Sequence, residues 1–124
     1  MESVTPSADA AARKAFHLDK TCASDLLCTI ASSDFDAMPA GTEITYMESD
    51  PSIGLAYPTI VIAGGTTTGV CDWNQPPGPV LAKCTFQTGT GELSKFDLVV
   101  DVTVTGDPAS PDAVWHWDGT YSLD

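Results

Sequence analysis

The sequence predicts an all-β fold, an antiparallel eight-stranded barrel, and three observations predict it. Apolar and polar residues alternate with a period of two along several segments. Clusters of Gly, Pro, Asn, Asp and Ser separate the segments at short, even spacing. No stretch carries a helical period over three turns. Closing such strands into a barrel removes free edges, and eight strands enclose an interior sized for side chains or one small ligand.

Taken in order, residues 1–13 read as a flexible lead with one helical turn over Ala8–Arg13, and residues 14–124 as a single barrel domain. Strands are expected at Ala15–Thr21, Cys28–Ser32, Glu43–Met47, Gly54–Ala63, Thr67–Trp73 and Val80–Thr88, followed by two with clear alternation. In "KFDLVVDVTVT", Phe96, Leu98, Val100, Val102 and Val104 share one face; Asp97, Asp101, Thr103 and Thr105 share the other, with Val99 the exception. In "VWHWDGTYSL", Trp115, Trp117, Tyr121 and Leu123 face one way, and His116, Asp118, Thr120 and Ser122 the other. The connections are turn-formers such as "MPAGT", "ESDPS", "GGTT", "NQPPGP", "TGTG" and "GDPASPD".

Charge excludes some functions. Five Lys and Arg stand against 17 Asp and Glu, a formal net charge of −12. Such a chain assembles no basic patch for nucleic acid or an anionic membrane surface. Its one arginine, Arg13, makes a bidentate phosphate clamp improbable. No apolar run reaches the roughly 18 residues of a membrane-spanning helix. The four cysteines, Cys22, Cys28, Cys71 and Cys84, form no C-x-x-C motif, which weakens zinc-ribbon and thioredoxin readings. Because each pair is local, Cys22–Cys28 and Cys71–Cys84 are the expected disulfides, and they point to an oxidising compartment. Four buried thiols in a reducing compartment are the alternative. The N-terminus lacks the apolar core of a signal peptide, so the expectation is a mature, secreted form.

Two tetrads, "FHLD" (16–19) and "WHWD" (115–118), hold both histidines. If the first and last strands close the barrel, His17, Asp19, His116 and Asp118 become cross-strand neighbours on one face. There they could act as metal ligands or as His–Asp proton-transfer pairs. With Phe16, Leu18, Trp115 and Trp117 inside, that face is the convex exterior, which lacks a pocket. The favoured reading is therefore cross-strand pairing, with no metal and no cofactor expected. Inside, Trp115, Trp117, Phe96, Phe86 and Tyr121 are either core or the lining of a ligand site. Tyr46, Tyr121 and Glu43 are the acid–base candidates, although Glu43 has the opposite parity to Tyr46. Asp34 and Asp36 have calcium-loop spacing, but Pro39 and Thr45 stand where such a loop needs Gly and Glu. The "GTGEL" turn is acidic, the wrong sign for cradling phosphate.

The segments "CTFQTGTGELSKF" (84–96) and "WHWDGTY" (115–121), with "FHLDKTC" near the start, resemble a group of small exported bacterial β-proteins. That group carries a CxF…GTGxLxxF…WxWxGTY pattern. More loosely, the cysteine pair on neighbouring strands, the C-x-F strand and the Gly-Thr-Gly turn resemble allene-oxide-cyclase/dirigent-like barrels. This second resemblance implies an eight-stranded barrel of that or the lipocalin-like type, with a lumen suited to an apolar small molecule. Relatives of that fold guide cyclisations by shape. The chain departs from them by its shorter length and by the lack of arginine in its strands. Three functions follow as expectations: a binding protein for an apolar small molecule, a cyclase or isomerase acting by substrate confinement, and a structural or interaction module. The last would have a packed core and an exposed apolar patch, with Trp73 and Val99 as candidates. Nothing in the sequence sets an oligomeric state.

Overall fold

The computed structural model describes residues 13–24, 27–50 and 53–123. Its strands are β1 (Lys14–Ser24), β2 (Leu27–Ser33), β3 (Glu43–Asp50), β4 (Leu55–Ile62), β5 (Gly65–Asp72), β6 (Ala82–Gly89), β7 (Asp97–Thr105) and β8 (Val114–Ser122). Each strand pairs antiparallel with the next, and β8 returns to pair with β1, closing the barrel. The fold is thus the all-β, eight-stranded antiparallel barrel that alternation predicts. Both expected disulfides, Cys22–Cys28 and Cys71–Cys84, are formed between directly paired residues of neighbouring strands. No helix among the described residues is long and apolar enough to cross a membrane.

The expected helical turn at Ala8–Arg13 lies outside the described residues except for Arg13. That guanidinium donates to the Asp97 carboxylate at 3.0 Å and to the Thr120 hydroxyl and carbonyl, pinning the entry of β1 across β8 to β7. Strand boundaries shift slightly. The "GGTT" segment is mostly strand: Ile62 pairs with Gly65, so the turn is the two residues Ala63-Gly64. Pro58, which cannot donate to a ladder, falls in the gap of the β4–β5 pairing between Ala56↔Cys71 and Thr59↔Thr68, and at the register shift of β3–β4 between Tyr46 and Glu48.

In a meander the connections alternate between the two ends of the barrel. The β2–β3, β4–β5 and β6–β7 connections share one end, which apolar side chains close. Phe35, Met38, Leu93 and Phe96 are buried there. Phe35 packs against Tyr121 with ring centroids 4.6 Å apart, and against Phe96 and Phe16 at 5.7 Å each. Phe96 is therefore not a β7 wall residue, as alternation implies, but part of this plug, one residue before the strand begins. The "SSDFDAMPAGTE" loop, polar in appearance, contributes Phe35 and Met38 to the core. The midsection is filled by Leu18, Ile30, Ile44, Ile60, Phe86 and Leu98. Among the described residues, the opposite end, with the β1–β2, β3–β4, β5–β6 and β7–β8 connections, has no such plug.

Gly119 of the "WDGTY" segment pairs with Val100 where β8 runs tight against β7. A Cβ there would sit 1.8 Å from the Val99 carbonyl oxygen and 2.8 Å from Val100 Cα, both backbone atoms that cannot swing aside. Gly119→Ala is expected to cost about 2–3 kcal/mol through forced separation of the two strands. Urea unfolding measures it, and a loss below about 0.5 kcal/mol would show that β8 yields freely.

Candidate functional site

The same two strands build a site on each side of the sheet. In β1, Phe16, Leu18 and Lys20 point inward and are buried, leaving His17 and Asp19 outside. In β8, Trp117 is fully buried, and His116 and Asp118 flank it on the outer face. The register Leu18↔Trp117 and Lys20↔Trp115 stacks the inner set. The register His17↔Asp118 and Asp19↔His116 stacks the outer set.

Inside, Lys20 is 3% exposed, and its Nζ donates to the Tyr46 hydroxyl at 2.9 Å. The amine also lies 3.4 Å from Cys28 Sγ. It sits over the Tyr46 and Trp117 rings at 5.2 Å from each centroid and 6.0 Å from that of Trp115. Aromatic faces and one hydroxyl solvate a cation only partly, and among the described residues no carboxylate pairs with Lys20. Burial consequently lowers its pKa to about 7, and burial also raises that of Tyr46, which therefore keeps its proton.

Lys20 and Tyr46 lie on the wall of a cavity of about 710 Å³ at the unplugged end. Trp73, Trp115, Trp117 and Val102 supply much of the apolar lining, and both disulfides border it. Trp73 meets Trp115 edge-on at 5.9 Å, and residues 108–111 of the β7–β8 connection form part of the rim. The indole N–H of Trp117 is buried with no hydrogen-bond partner among the described residues. The volume falls within the range of small-molecule sites.

Of the residues nominated from sequence, Trp115, Trp117 and Tyr46 converge on this cavity. Phe86 and Phe96 are not among its lining: Phe86 is fully buried against Trp117, and Phe96 belongs to the plug. Tyr121 is half-buried in that plug against Phe16 and Phe35. Glu43 is exposed on the outer surface, as its parity requires. Lys20 is absent from the sequence nominations. The signal was its spacing, two residues beyond Leu18 and four beyond Phe16, which puts it on the inner face of β1.

Outside, His17 Nδ1 bonds Asp118 and its Nε2 lies 3.0 Å from Asp19 Oδ1. His116 Nδ1 contacts the same Asp19 oxygen at 2.5 Å, and the two imidazoles stack 6.3 Å apart. The bond to Asp118 raises the His17 pKa, against a smaller opposing effect of burial. For Asp19, burial acts upward, but hydrogen bonds from His116, Ser32 and His17 outweigh it and hold the carboxyl below its ordinary value. Asp34 serves the backbone: its carboxylate accepts the His17 N–H at 2.9 Å and its own N–H donates to the His17 carbonyl.

A lysine whose folded pKa is below its unfolded value binds fewer protons in the fold, so stability rises with pH between the two. Here that window runs from about 7 to the ordinary 10.5. Lys20→Met is expected to stabilise the protein by about 2–4 kcal/mol near neutral pH and to remove that slope. Urea unfolding across the window tests both, and an unchanged slope in the variant would assign it to other groups.

In comparisons with family profiles, curated proteins and solved structures, nothing matches the chain.

Proposed function

We propose that this barrel binds a small apolar molecule in its open end, one with an aromatic or flat body and a single anionic or carbonyl oxygen. Its two disulfides support an extracytoplasmic setting for that role. The observation that carries the reading is Lys20: an amine buried with no carboxylate partner among the described residues, beside a cavity walled by tryptophan. A buried unpaired amine is costly, and a ligand oxygen accepting from Nζ and from the Tyr46 hydroxyl would relieve that cost. The indole faces supply the apolar contact.

All three tryptophans of the chain border the cavity, so intrinsic fluorescence reports its occupancy directly. Anilinonaphthalene sulfonate is expected to quench them, and the uncharged N-phenylnaphthylamine to bind more weakly. Lys20→Met should weaken the sulfonate by about tenfold or more while changing the neutral compound by less than about threefold. Equal effects on both compounds, or no quenching by either, would refute the proposal.

A second reading, isomerisation or cyclisation of the bound molecule, is favoured by the 2.9 Å contact between Lys20 and Tyr46. An amine that is partly neutral near pH 7 can accept a proton while the phenol donates one to a carbonyl. Exchange of the α-protons of β-tetralone for deuterium, followed by NMR, is then faster with protein than in buffer. Lys20→Met and Tyr46→Phe should each remove the acceleration; exchange at the buffer rate with the intact protein counts against this reading.

A further inference from the structure

We propose that the outer face of the β1–β8 seam is a zinc site, with His17 Nε2, His116 Nδ1 and Asp19 Oδ1 as ligands. One donor atom from each of the three residues lies within 4.8 Å of the others, and Asp19 Oδ1 is 3.0 Å from His17 Nε2 and 2.5 Å from His116 Nδ1. Tetrahedral zinc with bonds of about 2.0–2.1 Å separates its ligand atoms by roughly 3.3 Å, so small rotations of the three side chains admit the ion.

Proximity alone would not distinguish such a site from a hydrogen-bonded surface cluster; the outward-facing atoms do. His17 Nδ1 is held by Asp118, His116 Nε2 by the Thr105 hydroxyl at 2.7 Å, and Asp19 Oδ2 by the Ser32 hydroxyl at 2.8 Å. Each ligand thus has its far atom fixed by a partner while its near atom points to a common centre. That is the outer-shell pattern of histidine and carboxylate metal ligands, in which the second ring nitrogen donates to a carboxylate or other acceptor.

Hydrogen inventory points the same way. A neutral imidazole has one N–H, yet His17 faces Asp118 on one nitrogen and Asp19 on the other. Without metal, His17 and His116 meet Asp19 through N–H donors; with the N–H of His17 on Nδ1 toward Asp118 and that of His116 on Nε2 toward Thr105, Nε2 and Nδ1 instead turn lone pairs to a common centre. A cation at the centre of the three atoms takes the place of those protons and forms three bonds. Imidazole and carboxylate donors suit zinc and its borderline neighbours better than calcium or magnesium, which take all-oxygen shells. The convex face offers no cleft for a substrate, so the ion acts as a clip joining the first strand to the last. Water fills its fourth position.

The test uses the full chain, freed of metal by chelation and titrated with zinc chloride. One equivalent is expected to bind, with both histidine C2–H resonances shifting in step; the chain has two histidines, so both are read without mutagenesis. Zinc should also raise the melting temperature. His17→Gln and His116→Gln, checked for a native near-ultraviolet spectrum, should each lose both effects. Asp118→Asn, which changes an outer partner, should weaken binding about tenfold or more. Absence of a stoichiometric shift in the unmodified chain overturns the proposal, and this readout stands even if the variants fail to fold. Zinc uptake that persists undiminished in both histidine variants overturns it too, since the ion would then sit on scattered carboxylates.

Discussion

Pairing of the first strand with the last is the constraint from which the rest of this molecule follows. From Lys14↔Tyr121 to Lys20↔Trp115 the ladder runs without a break, whereas β1 against β2 shifts register twice. Strand residues alternate sides, so the seam fixes two sites at once: Lys20 with Trp115 and Trp117 inside, His17 and Asp19 with His116 and Asp118 outside. A slip of one residue would turn the imidazoles and carboxylates into the apolar lumen and expose Phe16 and Leu18. The burial lost and the charges trapped would both oppose it, and so the register is specified from both faces.

Alternation also keeps Lys20 from its nearest counter-ion in the chain. Asp19 is its covalent neighbour, but the sheet lies between the two side chains, and Asp19 is already engaged by His17, His116 and Ser32. In a protein of net charge −12 a lysine could find carboxylate partners almost anywhere on the surface. This one is instead confined among rings and disulfide sulfur, where its charged form is disfavoured. Removing a charge from water in this way opposes folding, which makes the residue hard to account for by packing alone.

The fold was legible because its signals are local. Period-two runs in β7 and β8 and turn-formers between strands set strand number and order, and the short separations of the cysteines set both disulfides. The outer cluster was also legible, since the twin tetrads become neighbours once the barrel closes. The inner site was not. Lys20 reads as one more polar residue in "FHLDKTC", and only its parity with Phe16 and Leu18 betrays it. Which aromatic residues line space and which fill it depends on the loops. Phe35 and Met38 come from a stretch that looks solvated, yet they plug one end and turn Phe96 and Tyr121 into core. Alternation assigns a side chain to the inside of a barrel; it does not say at which height along the axis.

That difference in height explains why the two ends are built differently. The plugged end is held by apolar burial: Phe16, Phe35, Met38, Leu93 and Phe96 are each no more than 6% exposed, and each such side chain contributes about 1.5–3 kcal/mol. The open end cannot use that device without filling its cavity. Both disulfides lie there, on the cavity wall, joining β1 to β2 and β5 to β6. With sequence separations of 6 and 13 they close short loops, so each contributes about 2–3 kcal/mol by restricting the unfolded chain. Cross-links of this kind stabilise a wall from within the sheet and occupy little of the space beside it. Covalent bonds thus do at this end what apolar burial does at the other, and the lumen around Lys20 and the tryptophans stays open.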